Sequence, residues 1–163
     1  MKKVFSLLMI FAALSVSSAQ AQEKLIENGS VVKFDYTLSS NGETIEQSQP
    51  ENPLEYTHGS GQIIPGLEEQ LVGMKVGDTK EVTVTPDKAY GEYVEEAIQV
   101  FPKSSYPEGF QPQQGALIEL QGQNGQVIPG IITAIDDESM TVNFNHPLAG
   151  KTLVFNVKIV DVQ

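Results

Sequence analysis

The amino-acid sequence contains no cysteine and no arginine, and it has only two histidines. Without a thiol, the chain cannot form a disulfide, carry a lipid on cysteine or perform thiolate chemistry. His58 and His146 stand far apart in the chain, so the sequence indicates no dedicated metal site.

Positive charge is also scarce, because the 163 residues include ten lysines against 21 aspartates and glutamates, for a formal net charge of −11. Nucleic-acid phosphates require a cationic surface, so we expect no nucleic-acid partner. An acidic surface commonly serves solubility alone, and it indicates no particular partner here.

The first residues are typical of a secretory signal. Lys2 and Lys3 precede an apolar run at residues 4–16, and Ala19-Gln20-Ala21 fits a cleavage site. The run is too short to span a membrane. We expect cleavage after Ala21 and a periplasmic or secreted protein of residues 22–163, with no membrane partner. Loss of two lysines would shift the charge from −11 to −13.

Residues 53–78 predict a strand, a loop and a short helix. Leu54 and Tyr56 alternate with polar residues, as in a half-buried strand. Ile63 and Ile64 precede Pro65, which suits the first turn of a helix. The free N–H groups of that turn would lie beside the two isoleucines. This combination predicts a binding site for an apolar group and its carbonyl. The alternative is that Ile63 and Ile64 are ordinary core.

Strands are predicted on both sides of that stretch. Residues 30–38 alternate strictly, Asn41-Gly42 is a strong hairpin signal, and Ile45 is expected to point inward from the returning strand. Further strands are predicted at 79–85 and 152–162. Strands at both ends of the mature chain, with one short helix between them, predict a small antiparallel α+β domain.

Residues 94–146 differ from their surroundings, since they show no helical pattern and contain Lys103 as their single positive charge. Residues 98–101 are apolar, and 102–112 form a predicted loop with three prolines. Strands are predicted at 117–120, 127–135 and 140–144, with a hairpin turn at 123–125 and an interruption at Pro129-Gly130. Insertion at an exposed loop is tolerated when its ends lie close together. We therefore predict an all-β domain at 94–146 inserted into a domain of residues 22–93 and 147–163.

The sequence GQIIPG at residues 61–66 is echoed by GQVIPG at 125–130. The first is followed by a predicted helix and the second lies in a predicted strand. We interpret the echo as coincidence. The alternative is that the second copy offers an apolar, proline-containing surface.

The sequence shows no standard catalytic motif. It contains no recognisable nucleophile elbow, oriented catalytic triad or glycine-rich phosphate loop. What recurs is a set of aromatic and aliphatic residues on different predicted strands. On composition alone, this set is either core or the lining of a site. Its members are Tyr36, Tyr56, Ile63, Ile64, Tyr90 and Phe155.

Several segments, in order and spacing, resemble FKBP-type peptidyl-prolyl isomerases of the SlyD-like subgroup over nearly all of residues 29–161. They include Tyr36, Pro53-Leu54-Glu55-Tyr56, His58-Gly59, Ile64-Pro65-Gly66-Leu67-Glu68, Val76-Gly77-Asp78, Ala89-Tyr90-Gly91 and Asn145-His146-Pro147-Leu148-Ala149-Gly150. The resemblance implies an FKBP-like antiparallel sheet wrapped on one helix, with an inserted β domain (insert-in-flap) after the Ala-Tyr-Gly motif.

The resemblance also implies a proline pocket. Its catalytic group would be Tyr36, Glu46, Ile64, Tyr90 and Phe155, and its further lining Leu54, Tyr56, Ile63 and Leu67. The Ile64 N–H would receive one substrate carbonyl and the Tyr90 hydroxyl another. Glu46 stands where the family commonly has aspartate. The histidine-rich metal-binding tail of some relatives does not follow the last strand, so nickel delivery is not expected.

We therefore expect an exported, monomeric prolyl isomerase without a cofactor, acting on unfolded or proline-containing polypeptides. Tyr106, Phe110, Val127, Ile128 and Ile131 of the insert are predicted to be exposed and to hold unfolded chains. The alternative is a chaperone with weak or vestigial isomerase activity, which the presence of Glu46 favours. A metal chaperone is a more distant alternative.

Overall fold

A computed structural model describes residues 23–122 and 125–163. The predicted signal segment, with its cleavage after Ala21, and residues 123–124 of the second predicted hairpin turn lie outside the described residues. Within those described, no helix is long and apolar enough to cross a membrane.

The described residues form nine strands and one α-helix. In chain order they are β1 (Val31–Ser40), β2 (Glu43–Gln47), β3 (Leu54–Thr57), α1 (Pro65–Leu71), β4 (Thr79–Val84), β5 (Ile98–Pro102), β6 (Leu117–Gln121), β7 (Val127–Ile135), β8 (Ser139–Asn143) and β9 (Leu153–Val162). The predicted strands and the helix beginning at Pro65 are confirmed.

The first sheet has five antiparallel strands in the order β2-β1-β9-β4, and β3 pairs with the first half of β1. Asn41 and Gly42 join β1 to β2 with φ angles of 52° and 80°, as the Asn-Gly signal predicts. The inward orientation predicted for Ile45 is wrong. β2 is an edge strand with no buried residue, and Ile45 is 42% exposed.

The main core lies between α1 and this sheet. Leu67 and Leu71 of the helix are buried against it. Gly66 permits the close approach, because a Cβ at this position would collide with Val84 of β4. Fifteen buried apolar residues form the core: Ile26, Val32, Phe34, Leu38, Tyr56, Leu67, Leu71, Met74, Val82, Val84, Leu153, Phe155, Val157, Ile159 and Val162.

The second sheet is antiparallel with the order β5-β8-β7-β6, and it has a small core of Ile132, Met140 and Val142. The exposure predicted for Tyr106 and Phe110 is wrong. Both rings are half-buried against this core and contact each other edge to face, with centroids 5.8 Å apart. The prolines of residues 102–112 predicted an exposed loop, whereas the two aromatic rings of this loop pack against the sheet.

Pro129-Gly130 does not interrupt β7. The first half of β7 pairs with β6 and the second half with β8. Gln126 and Ile132 bond to backbone on the β6 side. Since backbone groups alternate along a strand, Pro129 faces the opposite edge, where no described strand pairs with it. A missing N–H is tolerated there.

Candidate functional site

A cavity of about 430 Å³ opens on the first sheet beside the beginning of α1. It is lined by Phe34, Tyr36, Leu38, Glu46, Leu54, Gly61, Gln62, Ile63, Ile64, Pro65, Leu67, Tyr90 and Phe155. Eight of the nine residues predicted for the proline pocket are therefore brought together. They come from four strands, one helix and two loops.

Tyr56 does not line the cavity, which corrects its predicted place there. It is 2% exposed and packs edge-on against Phe34, with ring centroids 5.6 Å apart. Its hydroxyl lies 3.0 Å from Nδ1 of the buried His58. Burial raises the pKa of Tyr56, and Glu68 contributes further. Tyr56 thus supports the cavity wall from within the core.

Five lining residues were missed by the sequence reasoning, namely Phe34, Leu38, Gly61, Gln62 and Pro65. Phe34 and Leu38 share the alternating face of Tyr36, and this alternation was the available signal. Gln62 accepts a hydrogen bond from the Thr57 N–H at 2.7 Å, which fastens the loop before α1 to β3. No local pattern indicates that contact.

The floor of the cavity is aromatic. Phe155 lies on β9 opposite Leu38 of β1 and Val82 of β4, and it is 6% exposed. The Tyr36 ring lies 6.3 Å from that of Phe155 and 5.9 Å from that of Phe34. These spacings are within the range of favourable aromatic pairs. The cavity therefore offers a rigid apolar surface for a ring-shaped group.

A polar pair lies at one side of this floor. Glu46 sits opposite Leu38 in the β1–β2 pairing, and a bulge follows between Leu38 and Ser39. Its Oε1 accepts a hydrogen bond of 2.6 Å from the Tyr36 hydroxyl. Burial, and then the Glu46 carboxylate, raise the pKa of Tyr36 to about 12. The phenol thus stays protonated and is held in one orientation.

A backbone donor lies at the beginning of α1. Ile64 has extended dihedrals, and its carbonyl accepts bonds of 3.1 Å from the N–H groups of Leu67 and Glu68. Within residues 23–122 and 125–163, its own N–H has no hydrogen-bond partner. A donor without a partner beside an apolar floor is suited to receive a carbonyl.

Tyr90 lies across the cavity on the loop after β4. A 3₁₀ turn at Pro86–Lys88 precedes it, and the N–H groups of Ala89 and Gly91 both bond to the Pro86 carbonyl. Its ring stacks on His146 with centroids 3.9 Å apart and planes 3° from parallel. The Tyr90 hydroxyl has no hydrogen-bond partner in the described part of the chain, and the residue is 39% exposed.

The surface predicted for the insert lies apart from this cavity. Val127 is 51% exposed and Ile128 39%, whereas Ile131 is half-buried. Three other exposed apolar residues of the second sheet were not predicted from the sequence. They are Val100, Leu117 and Ile135, at 64%, 68% and 40% exposure.

Among the described residues, no group of three histidine, aspartate or glutamate side chains is arranged to hold a metal ion. The polar groups at the cavity are a phenol–carboxylate pair, a backbone N–H and a second phenol. Such an arrangement can bind an apolar ring and the carbonyls beside it. It presents neither a nucleophile with an adjacent base nor a pair of carboxylates.

Comparisons of this chain with known proteins all point to one family. The family model for FKBP-type peptidyl-prolyl cis-trans isomerases matches residues 22–160. A short-type peptidyl-prolyl cis-trans isomerase of Methanocaldococcus jannaschii is 39% identical over 154 residues, covering 85% of this chain and 95% of the relative. A probable FKBP-type 16 kDa peptidyl-prolyl cis-trans isomerase of Pseudomonas fluorescens is 32% identical over 143 residues, covering 88% and 95%.

An FKBP-type peptidyl-prolyl cis-trans isomerase SlyD of Aeromonas hydrophila is 37% identical over 135 residues, covering 82% of this chain and 63% of the relative. The residues matched by the family model include every residue that lines the cavity. The chain belongs to the FKBP-type peptidyl-prolyl cis-trans isomerase family, whose substrates are proline-containing polypeptides.

Proposed function

We propose that the cavity binds the proline of an X–Pro bond in an unfolded or partly folded polypeptide and accelerates its cis–trans isomerisation. The observation that carries this proposal is the unpartnered Ile64 N–H beside the apolar floor of Phe155 and Tyr36. The Ile64 N–H anchors the peptide, while the apolar floor removes water from the X–Pro bond that rotates.

Rotation about an X–Pro bond is slow because it breaks amide resonance, with a barrier of about 18–20 kcal/mol. Resonance separates charge, and water stabilises that separation. A cavity that removes water from the amide weakens resonance and favours the twisted state. Each reduction of about 1.4 kcal/mol in the barrier raises the rate tenfold. No covalent step or cofactor takes part in this mechanism.

Roles follow from the geometry. Phe155 and Tyr36 contact the proline ring, with Leu54, Ile63 and Leu67 completing the apolar wall. The Ile64 N–H donates to a substrate carbonyl, and the Tyr90 hydroxyl donates to another. Glu46 orients the Tyr36 phenol through their 2.6 Å hydrogen bond.

We further propose that residues 94–146 are an inserted domain of the SlyD-like type that binds unfolded chains. Its sheet has its own core, and its two connections to the first sheet meet where the Gly150 N–H bonds to the Gly91 carbonyl at 2.9 Å. Ends that lie this close are compatible with an insertion into residues 22–93 and 147–163.

Two features support binding of extended chains by the second sheet. Val127 and Pro129 present backbone groups on an edge of β7 that no described strand covers, and a client strand could pair there. Val127, Ile128 and Leu117 add exposed apolar side chains. The partly exposed Tyr106, Phe110 and Ile131 are proposed to add further contacts with the client. Binding there raises the effective concentration of client prolines at the cavity.

The exposed apolar surface of the second sheet also supports the alternative function, a holdase whose isomerase activity is weak. The activity of the parent on an X–Pro tetrapeptide distinguishes the two, because a holdase with weak isomerase activity would hardly accelerate its isomerisation. A deletion then tests the role of the second sheet. Replacing residues 94–145 with a short turn should preserve activity on an X–Pro tetrapeptide, which cannot bridge both sites. The same deletion should sharply reduce catalysis of proline-limited protein refolding and abolish suppression of aggregation.

A double substitution serves as a control in which the second sheet is expected to stay folded. Val127→Ser with Ile128→Thr removes exposed apolar surface without touching the buried Ile132, Met140 and Val142. We expect this double variant to resemble the deletion on protein substrates and the parent on the tetrapeptide. Equal losses on both substrates would show that the second sheet merely supports the cavity.

We also propose that the protein is exported from the cytoplasm. The signal-like residues 1–21 support export and cleavage after Ala21. We propose that the mature protein is a monomer that acts on exported polypeptides outside the cytoplasm. Fractionation of cells that express the full chain tests this directly. Recovery of an uncleaved protein in the cytoplasm would contradict it.

A further inference from the structure

The stack between Tyr90 and His146 joins two segments that are distant in the sequence. Tyr90 lies on an exposed loop, and no described group bonds its hydroxyl. Within the described residues its ring has one aromatic partner, His146, at 3.9 Å and almost parallel. An aromatic ring packed face to face in this way cannot turn about its side-chain torsions without losing the contact.

His146 is itself held in place by its own backbone segment. Its Nδ1 accepts a hydrogen bond of 3.1 Å from the Leu148 N–H, and its carbonyl accepts one of 2.9 Å from the Ala149 N–H. The Gly150 N–H then bonds to the carbonyl of Gly91, the residue after Tyr90. Both partners of the stack are therefore fastened to the same short turn.

The residue before His146 connects this turn to the second sheet. The Asn145 side chain accepts a bond from the Val94 N–H at 2.9 Å and donates to the Val94 carbonyl at 2.8 Å. It also donates to Oδ1 of Asn143, the last residue of β8, at 2.9 Å. The two connections between the sheets are thus clamped together immediately beside the ring that contacts Tyr90.

We propose that His146 is a positioning residue of the isomerase site, whose ring holds Tyr90 so that the phenol hydroxyl stays at the cavity. This inference rests on the proposed function, because it assigns the Tyr90 hydroxyl to a substrate carbonyl. His146 does not line the cavity itself and acts through Tyr90.

The positioning contact depends on the protonation of His146. Nδ1 accepts from the Leu148 N–H, so it carries no proton and the neutral ring has its hydrogen on Nε2. Protonation would place two donors against each other at Nδ1. Partial burial against Tyr90 and its own turn lowers the pKa of His146, although the residue as a whole is exposed. Tyr90 is the titratable group in contact with the ring, and Tyr93 lies against the same turn at Gly150. The charged residues close in sequence to either partner, Asp87, Lys88, Glu92 and Lys151, are exposed.

Two variants separate the ring from the hydrogen bond. His146→Asn retains an acceptor for Leu148 but removes the ring, and we expect kcat/KM on an X–Pro tetrapeptide to fall roughly two- to tenfold. His146→Phe retains the ring but cannot be protonated. It should keep activity within about twofold of the parent. It should also lack the fall in activity that the parent shows on acidification, which the lowered pKa of His146 places below the usual titration range of histidine.

A double variant shows whether the effect passes through Tyr90. In a Tyr90→Ala background, His146→Asn should cause no further loss, because the ring that it would misplace is gone. The tyrosine ring signals of ¹³C-labelled protein give a readout that does not depend on activity. In the parent, the Tyr90 signal should shift as His146 titrates, and in His146→Phe it should not.

The proposal is overturned if His146→Asn matches the active parent in kcat/KM and pH profile, or if its loss persists undiminished without Tyr90. These outcomes concern the positioning role alone. A parent protein without any activity on the tetrapeptide would instead contradict the proposed function.

Discussion

Replacement of Gly130 by alanine is expected to unfold the second sheet while the first sheet stays folded. A Cβ at residue 130 would lie 2.6 Å from a methyl of Val142 and 2.7 Å from the ring of Phe144. Ordinary contact begins near 3.4 Å. Val142 belongs to the small core of the second sheet and Phe144 packs against that core, so the strain is confined there.

The magnitude follows from two opposing effects. Overpacking a closed site costs about 1–3 kcal/mol. Alanine offsets about 0.4–1 kcal/mol of that by restricting the unfolded chain. A net loss of about 1–2 kcal/mol is small for a full-sized core but large for one of three buried side chains, since small cores supply few kcal/mol.

Hydrogen exchange measured by mass spectrometry provides the assay. In Gly130→Ala, peptides from residues 98–143 should lose protection, whereas those from β1, β4 and β9 should keep it, and tetrapeptide isomerisation should persist. Gly66→Ala is the matched control, because its Cβ would collide with Val84 in the first sheet. Loss of protection throughout the chain in Gly130→Ala would refute the reasoning, because the two sheets would then unfold as one unit.

Three further predictions concern the cavity. Glu46→Asp should match or exceed the parent rate and Glu46→Ala should fall below it in a tetrapeptide assay; an alanine variant as active as the parent would leave the carboxylate without a role. Tyr36 ionises near pH 10 when unfolded and its folded pKa is about 12, so its contribution to stability should be complete below pH 10 and lost as the pH rises to 12. Chemical denaturation of Tyr36→Phe should show a smaller loss over this range, with the remainder due to the buried Tyr56, whose pKa is also raised. Tyr90→Phe and Phe155→Leu should each slow isomerisation while the circular dichroism stays native; alanine at Phe155 would cost about 3–5 kcal/mol and confuse the test.

Local signals in the sequence predicted much of the fold. Alternation along β1, the Asn41-Gly42 turn and Pro65 at the beginning of α1 each depend on a few neighbouring residues, and each is present as predicted. The lining of the cavity was largely anticipated for a different reason. The resemblance to a family identified residues that periodicity alone left open between core and site.

What was mispredicted depends on contacts between distant segments. Tyr56 lies opposite Val32 in the β1–β3 pairing, which directs it into the core, and a single strand shows no such register. Pro129 remains within a strand because one edge of β7 is unpaired at that point, which depends on where β6 and β8 end. The stack of Tyr90 on His146 likewise has no local signal.

The central claim is that the cavity on the first sheet catalyses cis–trans isomerisation of X–Pro bonds. Magnetisation-exchange NMR on an X–Pro tetrapeptide, with the protein at a catalytic concentration, tests it most directly. We predict exchange cross-peaks between the cis and trans forms that the peptide alone does not show, together with a shift of the Ile64 amide signal on peptide binding. Cis and trans signals that fail to exchange, with the Ile64 amide unperturbed at saturating peptide, would contradict the claim.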